Sequence, residues 1–520
     1  MTLSPLNWLL AFSPILVILV LMLGFHWGGS RAGAASWLAA GIVAFAVFGA
    51  GFELLIVAQA KSVLLTLDVL YIIWMALLFF HVSNEAGAIA TIGSALSRLT
   101  RDKTMQGLLV GWVFASFLQG VGGFGVPVAI TAPLLVGIGF NPIQAVVMAS
   151  IGTGWAVSFG SMGTSFIIMS SLTGIPPEIL APDAALLLGL SAIPCGAMVA
   201  FVAGGWHGLR HTFPAVIILG AVMGTAQYLV ATNGVWVLGA AAGGMAGLLA
   251  GAALTRLPLY RNQDDNPPRT DAQGCRQSLG VAVSGYLILI LLAFSVNLIP
   301  EVKLMMNQAT LSIQFPQVMT SNGWVTPAEL GRQISIFVHP GAILLFSSMA
   351  AYLVYSIAGC YQAGAPRKIF KGMAGGAVNS SLGIVTMVAM ATIMYHSGMT
   401  NLLALGLSEG VGPALYPLVS PFIGALGAFI TGSNNNSNVL FAVLQQNTAE
   451  LLGLSVTMIL AAQTTGGALG SIMAPAKVIV GCSTVGLSGK EGKVIQEILV
   501  YGLLLVAFVA VITALILYPG

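Results

Sequence analysis

Apolar runs long enough to cross a bilayer follow one another from Trp8 to Leu517, and nothing else in the chain constrains its fold as strongly. A hydrocarbon core takes about 20 residues of helix. No water is present there to satisfy the backbone, so a crossing segment must be a helix or part of a closed barrel. Barrel strands would alternate apolar and polar residues over about ten positions, and these runs do not alternate. The 520 residues therefore predict an all-α polytopic membrane protein with about 12 to 14 transmembrane helices. Composition agrees: only 6% of the residues are charged, against roughly 25% in a soluble domain, too few to coat a soluble globule.

The same scarcity excludes other classes. The net charge of +3 is spread over separate loops, without the clustered basic face of a nucleic-acid binder. Cys195, Cys275, Cys360 and Cys482 lack metal or redox spacing. No Asp-rich diphosphate motif and no nucleotide-binding loop is present, and Ser161 has no His near it in sequence to serve as a hydrolase base. The expectation is a protein that is not an enzyme and has no cofactor. No Lys or Arg precedes the first run, Trp8 to Phe25, which is expected to be a retained span and not a cleaved signal peptide.

Organisation follows from the polar interruptions. Residues 256–278 hold four Arg, three Asp and the Pro267-Pro268 pair, and they read as a solvated linker between transmembrane halves 1–255 and 279–520. Glu301 to Arg332 reads as an extramembrane loop with an amphipathic piece. Basic clusters at Arg98, Arg101 and Lys103, in the linker, at Arg367, Lys368 and Lys371, and at Lys490 and Lys493 mark cytoplasmic ends.

The halves echo one another. A Gly-rich break at 119–127 is followed by an apolar helix, a turn at Gly139 to Pro142, and a second helix interrupted at Gly152 to Gly154 and Gly160 to Gly163. The second half repeats the order: a break at 431–438, an apolar helix, a turn at Gly453 to Ser455, and an interruption at Thr464 to Gly467. A shift of about 314 residues carries Gln119 onto Ser433, Gly139 onto Gly453 and Gly152 onto Gly466. This succession predicts an internal duplication with two re-entrant hairpins and broken helices, an arrangement that in transporters places a site at the bilayer midplane.

The second-half break concentrates Ser433, Asn434, Asn435, Asn436, Ser437 and Asn438 between apolar runs. An unpaired amide or hydroxyl in hydrocarbon costs several kcal/mol, so these groups are expected to line a cavity and hold a ligand. Amide and hydroxyl groups can grip a carboxylate through N–H and O–H, or Na+ through oxygen. The Na+ donors in the second case would be Ser433, Asn435, Asn438 and Thr465. Gln119, Gly120, Gly122 and Gly123 form the first-half counterpart, where glycine permits close backbone approach. Thr464, Thr465 and Lys477 complete the predicted substrate site. A cation at membrane depth is costly and is a site candidate by default.

Other titratable groups read as structural. His207 and His211 have metal-pair spacing but lie at a span's polar end, and Lys61 and Asp68 are expected to pair. His81, His339 and His396 stand isolated in sequence, and Glu85 sits before a Gly-containing turn.

At these motifs the chain resembles the L-lactate permease family. The resemblance rests on Phe117 to Ala132 (FLQGVGGFGVPVAITA), Phe159 to Gly163 (FGSMG), Phe429 to Phe441 (FITGSNNNSNVLF) and Thr464 to Gly467 (TTGG), with support from 205–210, 213–216 and 485–491. It implies a bacterial inner-membrane importer of lactate- or glycolate-like 2-hydroxymonocarboxylates, ion-coupled and usually with protons. It further implies inverted repeats, an elevator-like alternating access and a homodimer. Two departures stand out: family members commonly carry acids where this chain has Gln119 and Asn434, and a basic residue near Ser471. Neutral amides do not titrate near pH 7. Three readings are open: coupling to Na+, protonation elsewhere such as at His396 or Glu85, or uncoupled transport or channelling of another small anion.

Overall fold

The computed structural model describes residues 3–25, 27–123, 125–257, 260, 278–331, 333–487 and 491–518. Nine described helical stretches are apolar and long enough to cross a membrane, or ten if the bent pair Pro142–Ala156 and Gly160–Thr173 counts as one span. That number is below the expected 12 to 14. One stretch, Pro177–Leu254, runs for 78 residues, more than one crossing by length. It is interrupted by non-helical Gly204 and Gly205 and again at Asn233 and Gly234. Outward-facing apolar side chains such as Ile42, Ile56, Leu249 and Leu291, each at least 66% exposed, are what a lipid-facing belt requires.

The site-bearing elements are α1 (Phe52–Glu85), α2 (Lys103–Val121), α3 (Val126–Gly137), α4 (Pro142–Thr153), α5 (Gly160–Thr173), α6 (Ala365–His396), α7 (Met399–Thr431), α8 (Asn434–Leu451), α9 (Val456–Gly470), α10 (Pro475–Thr484) and α11 (Glu491–Leu517). The sequence of α2, break, α3, turn, α4, break, α5 recurs as α7, break, α8, turn, α9, break, α10. Local chemistry sets these boundaries. Gly123 and Gly125 adopt φ +60° and +77° between α2 and α3, a region glycine enters without steric cost. Pro127 then occupies the first turn of α3, where its missing N–H is no loss. Asn141 caps α4 by accepting from the Ile143 N–H at 2.9 Å, and Ser455 caps α9 by accepting from the Met458 N–H at 3.4 Å.

Packing repeats with the order. A Cβ on Gly152 of α4 would lie 2.0 Å from the Gly111 carbonyl oxygen of α2, and one on Gly466 of α9 would lie 2.0 Å from that of Pro421 on α7. Small residues at corresponding points therefore let backbones touch in both halves. The halves also interdigitate: α1 packs along α6, and α5 packs against α8. The predicted linker falls mainly on residues outside the described set, as do Lys490 and Cys275.

The polar excursion is strand-rich. After the exposed helix Pro300–Met306, three short antiparallel pairs nest as one hairpin: β1 (Thr310–Leu311) with β6 (Ile334–Ser335), β2 (Gln314–Phe315) with β5 (Glu329–Leu330), and β3 (Val318–Met319) with β4 (Val325–Thr326). Its tip is tied down where the Ser321 N–H donates to the Gly49 carbonyl at 2.8 Å. This hairpin overturns the Lys61–Asp68 pair. Lys61 bonds Glu329 of β5, while Asp68 accepts from Ser171 and meets His339, each at 3.0 Å. His211 meets Asp102 at 3.0 Å, and no cluster of three metal-ligating side chains occurs among the described residues.

Candidate functional site

All four helix breaks converge on one cavity of about 600 Å³. Gln119, Gly122 and Val126 line it from the first break, and Val157, Ser161, Thr164 and Ser165 from the second. Thr431 and Ser433 to Asn436 line it from the third, and Lys477 from the fourth. The opposite wall is the apolar face of α1 with His81, and α6 closes it with Gly376, Gly383 and Ile384. Amides, hydroxyls and one cation thus face a wall of hydrocarbon. No carboxylate lines this cavity among the described residues.

A continuous hydrogen-bond network fixes the polar side and joins the two halves. Asn434 Nδ2 donates to Ser158 Oγ at 3.0 Å and to Thr464 Oγ1 at 3.3 Å. Asn438 Nδ2 donates to Thr464 Oγ1 and to the Ser165 carbonyl, both at 2.9 Å. Ser165 Oγ donates to Asn435 Oδ1. Ser437 turns away from the cavity and donates to the Gly424 carbonyl at 2.6 Å, while accepting from Gln463 Nε2 at 3.1 Å. Lys477, 6% exposed, donates to Ser471 Oγ at 2.9 Å.

The predicted residues therefore separate. Gln119, Gly122, Ser433, Asn434, Asn435, Asn436 and Lys477 line the cavity. Asn438, Ser437 and Thr464 stand behind them as supports. Thr465 is fully buried, its hydroxyl without a partner among the described residues. Gly120 does not line the cavity: a Cβ there would lie 2.4 Å from the Ala241 nitrogen, so this glycine serves helix packing. Gly123 backs Ser161, whose Oγ lies 1.5 Å from where a Cβ would stand. Neither His396 nor Glu85, the alternative proton carriers, lines the cavity.

Sequence reasoning missed Ser158, Thr164 and Ser165. A signal was available, because the shift that carries Gly152 onto Gly466 carries Gly163 onto Lys477. A site at Lys477 thus implied one around 161–165. Ser161, Met162 and Gly163 are consecutive left-handed residues, at φ 48°, 56° and 73°. Two non-glycine residues in that region are strained, a condition that clusters at functional sites. Ser161 and His81 share the cavity, and no hydrogen bond joins them among the described residues.

Three buried oxygens near this network have no donor among the described residues: Asn434 Oδ1, Asn438 Oδ1 and Thr465 Oγ1. Orphaned acceptors in an apolar interior suit a cation, a water or a ligand hydroxyl. Of the four predicted Na+ donors, Asn438 and Thr465 fit this description, whereas Asn435 Oδ1 is occupied by Ser165.

The L-lactate permease family model matches residues 7–519. The chain belongs to this family. Membership and the candidate spans place it, as a multi-pass permease, in the bacterial inner membrane. It is similar to the L-lactate permease of Escherichia coli (strain K12), 30% identical over 473 aligned positions that cover 86% of this chain and 84% of that protein. It is similar also to the E. coli glycolate permease GlcA, 26% identical and covering 98% and 95%, and to the L-lactate permease of Halalkalibacterium halodurans, 27% identical and covering 96% and 95%. Among solved structures, the Alcanivorax borkumensis YdaH transporter aligns with a TM-score of 0.47 at 15% identity, covering 85% of this chain and 84% of that one.

Proposed function

We propose that this protein is a secondary transporter of a small carboxylate of the lactate and glycolate class, driven by an ion gradient. The observation that carries this reading is the convergence of four helix breaks on one cavity whose polar wall, among the described residues, has donors and a cation but no carboxylate. An anion there meets Lys477 and the amide and hydroxyl donors of Gln119, Ser161, Thr164, Ser433, Asn435 and Asn436. Asn434, whose Nδ2 is already committed to Ser158 and Thr464, belongs to the fixed network that holds those donors in place, which lowers the ordering cost of binding. Phe80, Leu77 and Ile73 offer the methyl group of a 2-hydroxyacid an apolar wall.

With the reading go the inverted repeat, the elevator-like movement and the homodimer that the family resemblance implies. A second reading of the coupling is Na+, favoured by the donor-less oxygens of Asn434, Asn438 and Thr465.

The test is uptake of labelled lactate, glycolate and inorganic anions into proteoliposomes with imposed H+ or Na+ gradients. Saturable lactate or glycolate uptake with counterflow is expected. Absence of saturable uptake for every small carboxylate would contradict the reading, and non-saturable flux would indicate a channel.

A further inference from the structure

No carboxylate lines the cavity among the described residues, and the surroundings of Lys477 bear on how transport could be coupled to an ion. Lys477 stands in the first turn of α10, is buried, and lines the substrate cavity. Its hydrogen-bond partner is the neutral Ser471 hydroxyl, and no ion pair to it occurs among the described residues.

The elements packed on α10 are α3, α4 and α11. α3 and α4 contain no titratable side chain. α11 bears Glu491, Lys493 and Glu497 in its first two turns, beyond the far end of α10, and Tyr501 beside Gly502, which packs on Met473. Across the cavity the titratable group is His81. Among the described residues the site therefore holds one ammonium and no acid.

From this arrangement we infer that Lys477 is the proton carrier of the transport cycle, in place of a carboxylate. The inference rests on the transport reading above. With an anion bound, ammonium and carboxylate neutralise one another, and the loaded site can cross the bilayer centre as a neutral pair. When the anion leaves, an uncompensated ammonium remains at membrane depth, a costly state. Release of one proton from Nζ to the inner solution leaves a neutral amine, and the empty site returns uncharged. No bond other than N–H changes, and each cycle moves one proton and one anion in the same direction without net charge. Lysine suits the task because its compact ammonium gives up its proton readily when buried, whereas a guanidinium stays charged at every accessible pH.

The experiment compares wild type with Lys477→Arg in Na+-free proteoliposomes, measuring lactate counterflow at equal pH and net accumulation driven by an inside-alkaline pH gradient. Wild type is expected to accumulate lactate without Na+. Arginine still pairs with the anion but cannot shed its proton. Lys477→Arg therefore lowers both activities, and the ratio of net uptake to counterflow falls at least about tenfold. An unchanged ratio, or a strict Na+ requirement in wild type, overturns the inference. Should Lys477→Arg be inert in both assays, purified wild-type protein decides. Lactate binding at about pH 9 to 10 draws close to one proton from solution if Lys477 is the carrier, and uptake of no proton overturns it. A wild type that moves no small carboxylate sinks the transport reading itself, an outcome distinct from each of these.

Discussion

The two pairs of helix breaks share a layout but are made from different residues. In the first half the chain turns on Gly123 and Gly125, and again on the left-handed run Ser161, Met162 and Gly163. At the second-half breaks Gly432 alone among the described residues turns left-handed, at φ +76°, and side chains supply the rest: Ser433 to Asn438 at one break, Ser471 and Lys477 at the other. One half shapes the cavity through close backbone approach, and the other carries most of its donors and its charge. A shared layout thus need not mean shared chemistry.

That division can be broken at several points. The largest effect is expected for Lys477→Gln, which removes the site's charge. Truncating one partner of a buried charge pair costs about 2 to 5 kcal/mol, so the concentration of lactate for half-maximal counterflow should rise at least about 30-fold with expression intact. An unchanged value would place the anion's counter-charge elsewhere.

Next come the glycines that support each lobe. A Cβ on Gly467 would stand 2.1 Å from Asn434 Oδ1, and one on Gly123 would meet Ser161 Oγ at φ +60°. Overpacking of this kind costs about 1 to 3 kcal/mol. Gly467→Ala and Gly123→Ala should each lower both Tm and transport rate, the first by displacing an amide and the second by displacing a hydroxyl. Wild-type Tm in either variant would mean that the close approach is not required.

A smaller effect sharpens the link between lobes. Ser165 Oγ donates to Asn435 Oδ1 between the two halves, so a double-mutant cycle with Ser165→Ala and Asn435→Ala should give a coupling of about 1 kcal/mol in lactate affinity. Additive losses would argue that each side chain acts alone. The smallest effect belongs to Glu301→Gln, an exposed residue outside the cavity, for which counterflow and stability should stay within about 0.5 kcal/mol of wild type.

Much of this was legible in the chain because breaks in a membrane helix are written in local residues. Gly, Pro and cap residues announce them wherever they fall, and the shift of about 314 residues pairs the halves without any knowledge of packing. The second-half lobe was legible for the same reason: an Asn- and Ser-rich segment between apolar runs has no cheap place except a polar cavity. For the first-half lobe the shift points to the segment 161–165 but not to which hydroxyls there or at Ser158 face the cavity, since a hydroxyl in a membrane helix can satisfy itself on its own backbone, as Thr131 does on the Pro127 carbonyl at 2.7 Å. Which serines face a cavity is decided by tertiary contact. The partners of Lys61 and Asp68 were misread because they lie on and beside a hairpin whose strands are two residues long, too short to leave a periodic signal.

The central claim, that the cavity between the breaks holds the carboxylate, is tested most directly by substrate protection of a single thiol. In a background with Cys195, Cys275, Cys360 and Cys482 replaced by Ala, a thiol introduced by Ser433→Cys would be alkylated with and without lactate, and one introduced by Glu301→Cys would serve as the control. Lactate should slow alkylation at position 433 at least about fivefold, as partial occupancy of the site requires, and leave position 301 unaffected. Equal rates at position 433, in protein that still exchanges lactate, would contradict the account.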